Sequence, residues 1–323
     1  MAKMTYLKAV GLAMHEEMAL DERVFVMGED VAFNHLGSTP GFVEDFGAER
    51  VRNTPITESG FVGAAAGAAM VGMRPIVDMM IAPFIYCAFD QIVSIVAKST
   101  YLYGGQSKMP IVIRASMFYG NGTAAQHSDR PMSTLMTIPG LKIIAPASPS
   151  DVRGLLKTAI RDDDPVVSFE DNRLWTMTED VADDGDPIPL GRASIKREGS
   201  DVTIVAVAGS VVFALDAAKA LADKGISAEV VDPRTLVPLD LDTILESVAK
   251  TGRLVVVDPS HDMCSVASQI SAVVAERGFW SLQAPIGRVT TPHVHIPFSP
   301  PLEKTLFPDP NKIVVAVEKI MAT

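Results

Sequence analysis

Thr54-Pro55-Ile56-Thr57-Glu58-Ser59-Gly60 leads into Phe61-Val62-Gly63-Ala64-Ala65-Ala66-Gly67-Ala68-Ala69-Met70-Val71-Gly72, and the apolar run Pro75-Ile76-Val77-Asp78-Met79-Met80 follows. Small residues recur at helical spacing and are succeeded by a short apolar stretch, the order of a helix that crosses back to a parallel strand. Each glycine lowers helix propensity by up to ~1 kcal/mol, so a helix carrying Gly60, Gly63 and Gly67 serves close packing. Outward from this unit the same alternation continues. Strands are predicted at 24–27, 75–80, 110–114, 142–145 and 166–169, with helices at 60–72, 84–101 and 150–161. Residues 176–200, with Asp183, Asp184, Gly185, Asp186, Pro187 and Pro189, are polar and turn-rich and mark a boundary. The pattern then restarts: strands at 202–208, 228–232 and 254–258, helices at 211–224 and 240–250, a Pro-rich segment at 292–310 and a last helix at 312–321. The reading is an α/β protein of two domains, 1–178 and 201–323, joined by a linker at 179–200, each with a largely parallel sheet flanked by helices.

Composition agrees with two cores. The chain has 323 residues, 48% hydrophobic and 21% charged, with mean hydropathy +0.23. That excludes a disordered chain. Lys and Arg total 28 against 39 Asp and Glu, a net charge of −11, so the basic footprint of a nucleic-acid binder is missing. Cys87 and Cys264 sit among apolar or small residues, which predicts buried, reduced thiols, and no CxxC pair exists. Residues 1–10 lack an apolar signal-peptide core, and the most apolar stretch, 60–73, is shorter than the ~20 residues of a membrane span. The expectation is a soluble, cytoplasmic protein with no membrane partner.

Three kinds of residue could carry chemistry. Glu58 stands at the start of a helix, where a carboxylate is stabilised by the helix dipole whether or not it has another role. His127, in Gln126-His127-Ser128, ends the turn-rich stretch Tyr119-Gly120-Asn121-Gly122-Thr123-Ala124-Ala125 after a strand. Such loops at the carboxyl ends of parallel strands line the usual crevice, although many loop histidines are inert. His293 and His295 alternate without a third ligand nearby, which favours surface histidines over a metal site.

The run Gly28-Glu29-Asp30-Val31, then residues 52–61, then Ala88-Phe89-Asp90-Gln91-Ile92, resembles the β subunit of the thiamine-diphosphate-dependent 2-oxo-acid dehydrogenases. Further matches are Ala125-Gln126-His127-Ser128, Pro139-Gly140-Leu141-Lys142, residues 159–167, Pro233-Arg234-Thr235-Leu236 and residues 297–303. They span nearly the whole chain in family order. The resemblance implies a transketolase-like pyrimidine-binding domain followed by a transketolase C-terminal-like domain. It also implies oxidative decarboxylation of a 2-oxo acid, or cleavage of acetoin, with acyl transfer to lipoyl groups of a dihydrolipoyl acyltransferase. Glu58 would hydrogen-bond the aminopyrimidine ring nitrogen and promote the imino tautomer that removes the thiazolium proton; a dry site strengthens such a bond. Phe84 would lie against the pyrimidine, Glu29 would be a second acid beside it, and His127 would handle a proton when the acyl group passes to the dithiolane. Main-chain oxygens at Ile111, Ala159, Ile160, Asp162 and Asp164 match a loop that holds potassium in several members.

The chain also departs from the pattern. Asp129 and Arg130 follow Ser128 where relatives commonly have Gln and an uncharged residue, which would bring new charge to the pocket. Pro83 replaces a frequent Asp or Asn, and His261-Asp262-Met263-Cys264-Ser265 lacks a Gly-rich turn. No Gly-Asp-Gly element with a following Asn pair is present to hold Mg²⁺ and a diphosphate. The resemblance therefore implies a separate α subunit that holds Mg²⁺, in an α₂β₂ assembly contacted through the small-residue helix. A self-sufficient transketolase-like enzyme and a non-catalytic scaffold subunit are the alternatives. Phe118-Tyr119 and Gly104-Gly105-Gln106 lean toward an acetoin- or pyruvate-type subunit.

Overall fold

The computed structural model describes residues 2–182 and 185–323; Met1, Asp183 and Asp184, the latter two within the expected linker, lie outside the described residues. Two compact units emerge. One runs to Tyr119 and resumes over Thr134–Leu190; the other takes Gly120–Ser133 and Gly191–Thr323. This differs from a simple cut between 178 and 201. The loop at 120–133 groups with the second unit because its amides are bonded there, as described below. The stretch read as linker also carries two strands: Thr178–Val181 pairs antiparallel with Ala2–Thr5, and Ser194–Arg197 pairs antiparallel with Ala228–Asp232. Both are half-exposed and polar, so their composition looks like a loop.

In the first unit, neighbouring strands run in the order Lys142–Ile144, Val166–Asp171, Val112–Met117, Arg74–Ile81, Val24–Gly28 and Val51–Asn53, every pair parallel. The Val, Ile and Met runs of the central strands are buried, the pattern expected when a parallel sheet is covered on both faces. Helix Glu58–Met70 packs against the strand Arg74–Ile81 that follows it, while Tyr6–Leu20, unforeseen in the sequence, packs on Pro149–Arg161. The predicted helix at 84–101 is broken. It resolves into a 3₁₀ turn at Ala82–Ala88, a π-helical segment at Gln91–Val96 and a short helix at Ser99–Leu102. Pro83, inside the first turn, and the switch in hydrogen-bond spacing prevent one continuous helix.

The second unit orders Gly287–Thr291, Leu254–His261, Val202–Ala206, Ala228–Asp232 and the antiparallel edge Ser194–Arg197. Ser210–Ala222, Leu241–Thr251, Val266–Arg277 and Pro310–Met321 are its main helices. The sequence reading missed Val266–Arg277, whose buried Val266, Ala267, Ile270 and Val274 alternate with serines, and Gly287–Thr291. Within the Pro-rich segment a helix forms over Pro300–Leu306. Both cysteines are exposed, correcting the expectation of buried thiols. Cys87 lies on the outer side of the 3₁₀ turn, and Cys264 sits in a loop at φ 50°. Among the described residues, no helix is long and apolar enough to cross a membrane.

Candidate active site

Three adjacent strands deliver three of the sequence-predicted residues to one end of the first sheet. Glu29 follows Val24–Gly28, Glu58 follows Val51–Asn53, and Phe84 follows Arg74–Ile81. These are carboxyl ends of parallel strands, where side chains and helix N-termini converge on a crevice. The first two loops are tied together: Thr54 N donates to Gly28 O at 3.0 Å, and Ala32 N donates to Asn53 Oδ1 at 2.7 Å. The third is turned by a bulge. Register shifts between Asp78 and Ile81, Met80 takes φ 59°, and its amide donates to Asp78 Oδ1 at 2.8 Å. The turn bearing Phe84 then packs against helix Glu58–Met70. Phe84 is half-buried.

Glu58 is a buried residue in the first helical turn. Among the described residues nothing donates to its carboxylate, so the dipole of its own helix is its chief intramolecular stabilisation. Burial, then Glu58, then Asp30 push the Glu29 carboxyl above the usual carboxylate range. The same two acids, after burial, raise the Cys87 thiol. Glu29, Glu58 and Cys87 thus share one electrostatic neighbourhood. Glu29 Oε1 and Thr54 Oγ1 are buried, and neither has a hydrogen-bond partner among the described residues. A buried polar atom left unpaired costs ~1–3 kcal/mol, which a bound donor would recover. This acceptor-rich set fits a flat ligand with N–H groups in its plane, as an aminopyrimidine has, and a half-buried phenyl ring fits its face.

His127 belongs to the second unit. It ends a 3₁₀ turn, Ala125–His127, and is half-buried. Just before the turn, Ala124 takes φ 56°, ψ −166°, a region that glycine alone enters without strain and that costs other residues ~1–3 kcal/mol. Glu303, fully buried on helix Pro300–Leu306, accepts from Gly120 N at 2.9 Å and from Gly122 N at 3.1 Å. Thr123 and Ser128 hydroxyls meet at 2.8 Å across the turn. Arg130 is buried, donates to Ser128 O and stacks on the Phe307 ring, its guanidinium carbon 4.3 Å from the ring centroid. An arginine side chain finds its place there by stacking, which a residue pattern does not reveal.

The loop matched to potassium lies at the opposite, amino-terminal end of the first sheet, with Ile111 just before Val112–Met117 and residues 159–164 just before Val166–Asp171. Ile160 O accepts from Arg74 Nε at 2.8 Å and Asp162 O from the same guanidinium. Ile111 O accepts from Val166 N at 2.9 Å and Ala159 O from Asp162 N at 3.3 Å. Lys142 Nζ meets both Asp162 oxygens at 2.8 and 2.7 Å and Asp164 at 3.0 Å. Three cations of the chain, Arg74, Lys108 and Lys142, brace this loop. Pro83 is buried, and His293 and His295 are exposed and outside any strand. Among the described residues no group of three His, Cys, Asp or Glu side chains is placed to hold a metal.

One buried network went unread in the sequence. Arg114 donates to Glu170 Oε1 at 2.8 Å, Glu170 Oε2 at 2.7 Å and Asp78 Oδ2 at 3.0 Å. Burial works against the guanidinium's charge, but Glu170 and Asp78 outweigh it and raise the pKa. The signal was available: Asp78, Arg114 and Glu170, of compensating sign, interrupt the apolar strands at 74–81, 112–117 and 166–171.

Residues 2–177 match the pyrimidine-binding domain of transketolase and residues 191–313 its C-terminal domain. The chain is 46% identical, over 95% of its length and 94% of the relative's, to the β subunit of acetoin:2,6-dichlorophenolindophenol oxidoreductase of Bacillus subtilis. It is 46% identical to the pyruvate dehydrogenase E1 β subunit of Rickettsia felis, over 98% of both chains, and 42% identical to the 2-oxoisovalerate dehydrogenase β subunit of Bacillus subtilis, over 99% of both. A solved structure described as a split-gene transketolase, inactive β4 tetramer, superposes with TM-score 0.82 at 26% identity, covering 99% of this chain and 98% of that one. With both domains matched in order and relatives alike over their full length, the chain belongs to the β-subunit family of the thiamine-diphosphate-dependent 2-oxo-acid dehydrogenases.

Proposed function

We propose that this chain supplies the aminopyrimidine half of a thiamine diphosphate site in a heteromeric dehydrogenase acting on a small 2-oxo acid or acetoin, with an α subunit holding Mg²⁺ and the diphosphate. The observation that carries the reading is the pairing of Glu58 and Glu29 at the ends of adjacent strands, with Glu29 Oε1 and Thr54 Oγ1 buried and unfilled among the described residues. When bound, the cofactor supplies the electron sink for cleaving the bond beside a carbonyl. Glu58 would share a proton with the ring nitrogen, its carboxyl donating to the nitrogen lone pair as the imino tautomer forms, in a buried position without competing donors among the described residues. Glu29, whose carboxyl burial and Glu58 push above the usual carboxylate range, lies beside it as a second hydrogen-bonding acid. Phe84 presents an apolar face to the heterocycle and keeps water from one side. His127 donates a proton to the sulfur released when the acyl group passes to the lipoyl dithiolane of a dihydrolipoyl acyltransferase.

The assembly is α₂β₂, and helix Glu58–Met70 offers its face of exposed small residues, Gly60, Ala64 and Gly67, to the α subunit. A potassium ion at Ile111, Ala159, Ile160, Asp162 and Asp164 would share the loop with Arg74 and Lys142 and brace structure only. Two exposed free thiols suit a reducing cytoplasm. The test is co-expression with an α-type chain and a screen of pyruvate, branched-chain 2-oxo acids and acetoin with an artificial electron acceptor. Glu58→Gln should assemble normally and turn over roughly 10²–10⁴-fold more slowly, the range for a positioned acid–base group. Near wild-type turnover in that variant overturns the role of Glu58. Tight cofactor binding by the β chain with Mg²⁺ alone overturns the shared site.

A further inference from the structure

Gly120 and Gly122 each give one backbone N–H to a separate oxygen of the same carboxylate, Glu303 Oε1 at 2.9 Å and Oε2 at 3.1 Å. Glu303 is fully buried, so water does not compete for those oxygens. The contact is close enough that a Cβ on Gly122 would lie 3.1 Å from Phe298 O. At the far end of the same loop, Arg130 stacks on Phe307. Residues 298–307 therefore grip the His127 loop on both sides of His127. Between the grips Ala124 holds a backbone conformation foreign to alanine, and such strain persists only where the surroundings over-determine it. We propose that Glu303 is a positioning residue for His127: its carboxylate fixes the Gly120–Gly122 turn and so the placement of the imidazole. The second unit then contributes to chemistry through Glu303.

This inference rests on the proposed role of His127 in lipoyl transfer. The test uses the assembled α₂β₂ enzyme with Glu303→Gln, Glu303→Ala, His127→Ala and the Glu303→Gln/His127→Ala double variant. Hydrogen exchange of the peptide over 120–127 should quicken roughly tenfold or more in both Glu303 variants, the factor for losing a hydrogen bond to a charged group. Lipoyl-dependent transfer should fall roughly 10–10²-fold, as for displacement of a reacting group by about 1 Å. The artificial-acceptor rate should change far less. Glutamine, keeping one acceptor oxygen, should lose less than alanine. In the His127→Ala background, Glu303→Gln should cost transfer nothing more, because it acts through the imidazole. Unchanged exchange, equal losses in both assays, or additive losses in the double variant would overturn the inference. If exchange quickens but His127→Ala itself leaves transfer intact, it is the role of His127 that fails, and the positioning of its catalytic function falls with it.

Discussion

Gly28, the last residue of its strand, stands opposite Asp78 in register, and a Cβ built on it would lie 2.4 Å from Asp78 O and 3.1 Å from Asp78 Cβ. The obstructing atom at the shorter distance is backbone, which cannot swing aside. Gly28→Ala must therefore part the two strands by about 1 Å to restore an ordinary contact of 3.4 Å, at the point where the chain turns into Glu29. Overpacking of this kind costs ~1–3 kcal/mol. For a unit of this size each kcal/mol lowers Tm by ~2–4 °C, so the fall should be roughly 2–12 °C. Moving Glu29 by about 1 Å should cost roughly 10²-fold in turnover, because hydrogen-bond geometry to a fixed heterocycle tolerates little displacement. Calorimetry of the β chain reads the first effect; cofactor titration and artificial-acceptor turnover of the assembled enzyme read the second. A variant with wild-type Tm would refute the close approach. A lowered Tm with unchanged turnover would refute the placement of Glu29 beside the reacting group.

Gly67→Ala is the counterpart, since a Cβ there meets nothing within 4 Å. It should stabilise the isolated chain by ~0.5–1 kcal/mol in a denaturant titration. Gly67→Leu should fold equally well yet impair assembly with the α subunit, as sedimentation would show. Arg114→Met leaves Glu170 and Asp78 buried without their cation, and the loss should be ~3–5 kcal/mol, seen as a lower denaturant midpoint with unchanged slope. Because the folded-state pKa of Glu29 is raised, its ionisation opposes folding: its contribution is fully present below the unfolded value of about 4.3 and is lost as pH rises through the folded value. Glu29→Gln should therefore match the wild-type Tm at pH 4 and exceed it at pH 7 in the cofactor-free subunit. Equal Tm differences at both pH values would contradict the raised pKa.

The sequence by itself determined the α/β class, most strand and helix positions, and Glu58 at the head of its helix. Hydrophobic period and turn chemistry are local, so buried parallel strands such as 202–206 and 228–232 are written in consecutive residues. The polar strand Ser194–Arg197 was not legible, because an edge strand is stabilised by its partner Ala228–Asp232 and not by its own composition. Nor could local pattern foresee exposed cysteines, since burial depends on which face of the 82–88 turn meets helix Glu58–Met70. The site divides in the same way. Residue types at 29, 58, 84 and 127 were readable, but the sharing of charge among Glu29, Glu58 and Cys87 and the hold of Glu303 on Gly120 and Gly122, 183 and 181 residues away, arise only when distant segments are brought together. Electrostatic coupling and hydrogen bonding depend on distance in space, and separation along the chain does not specify it.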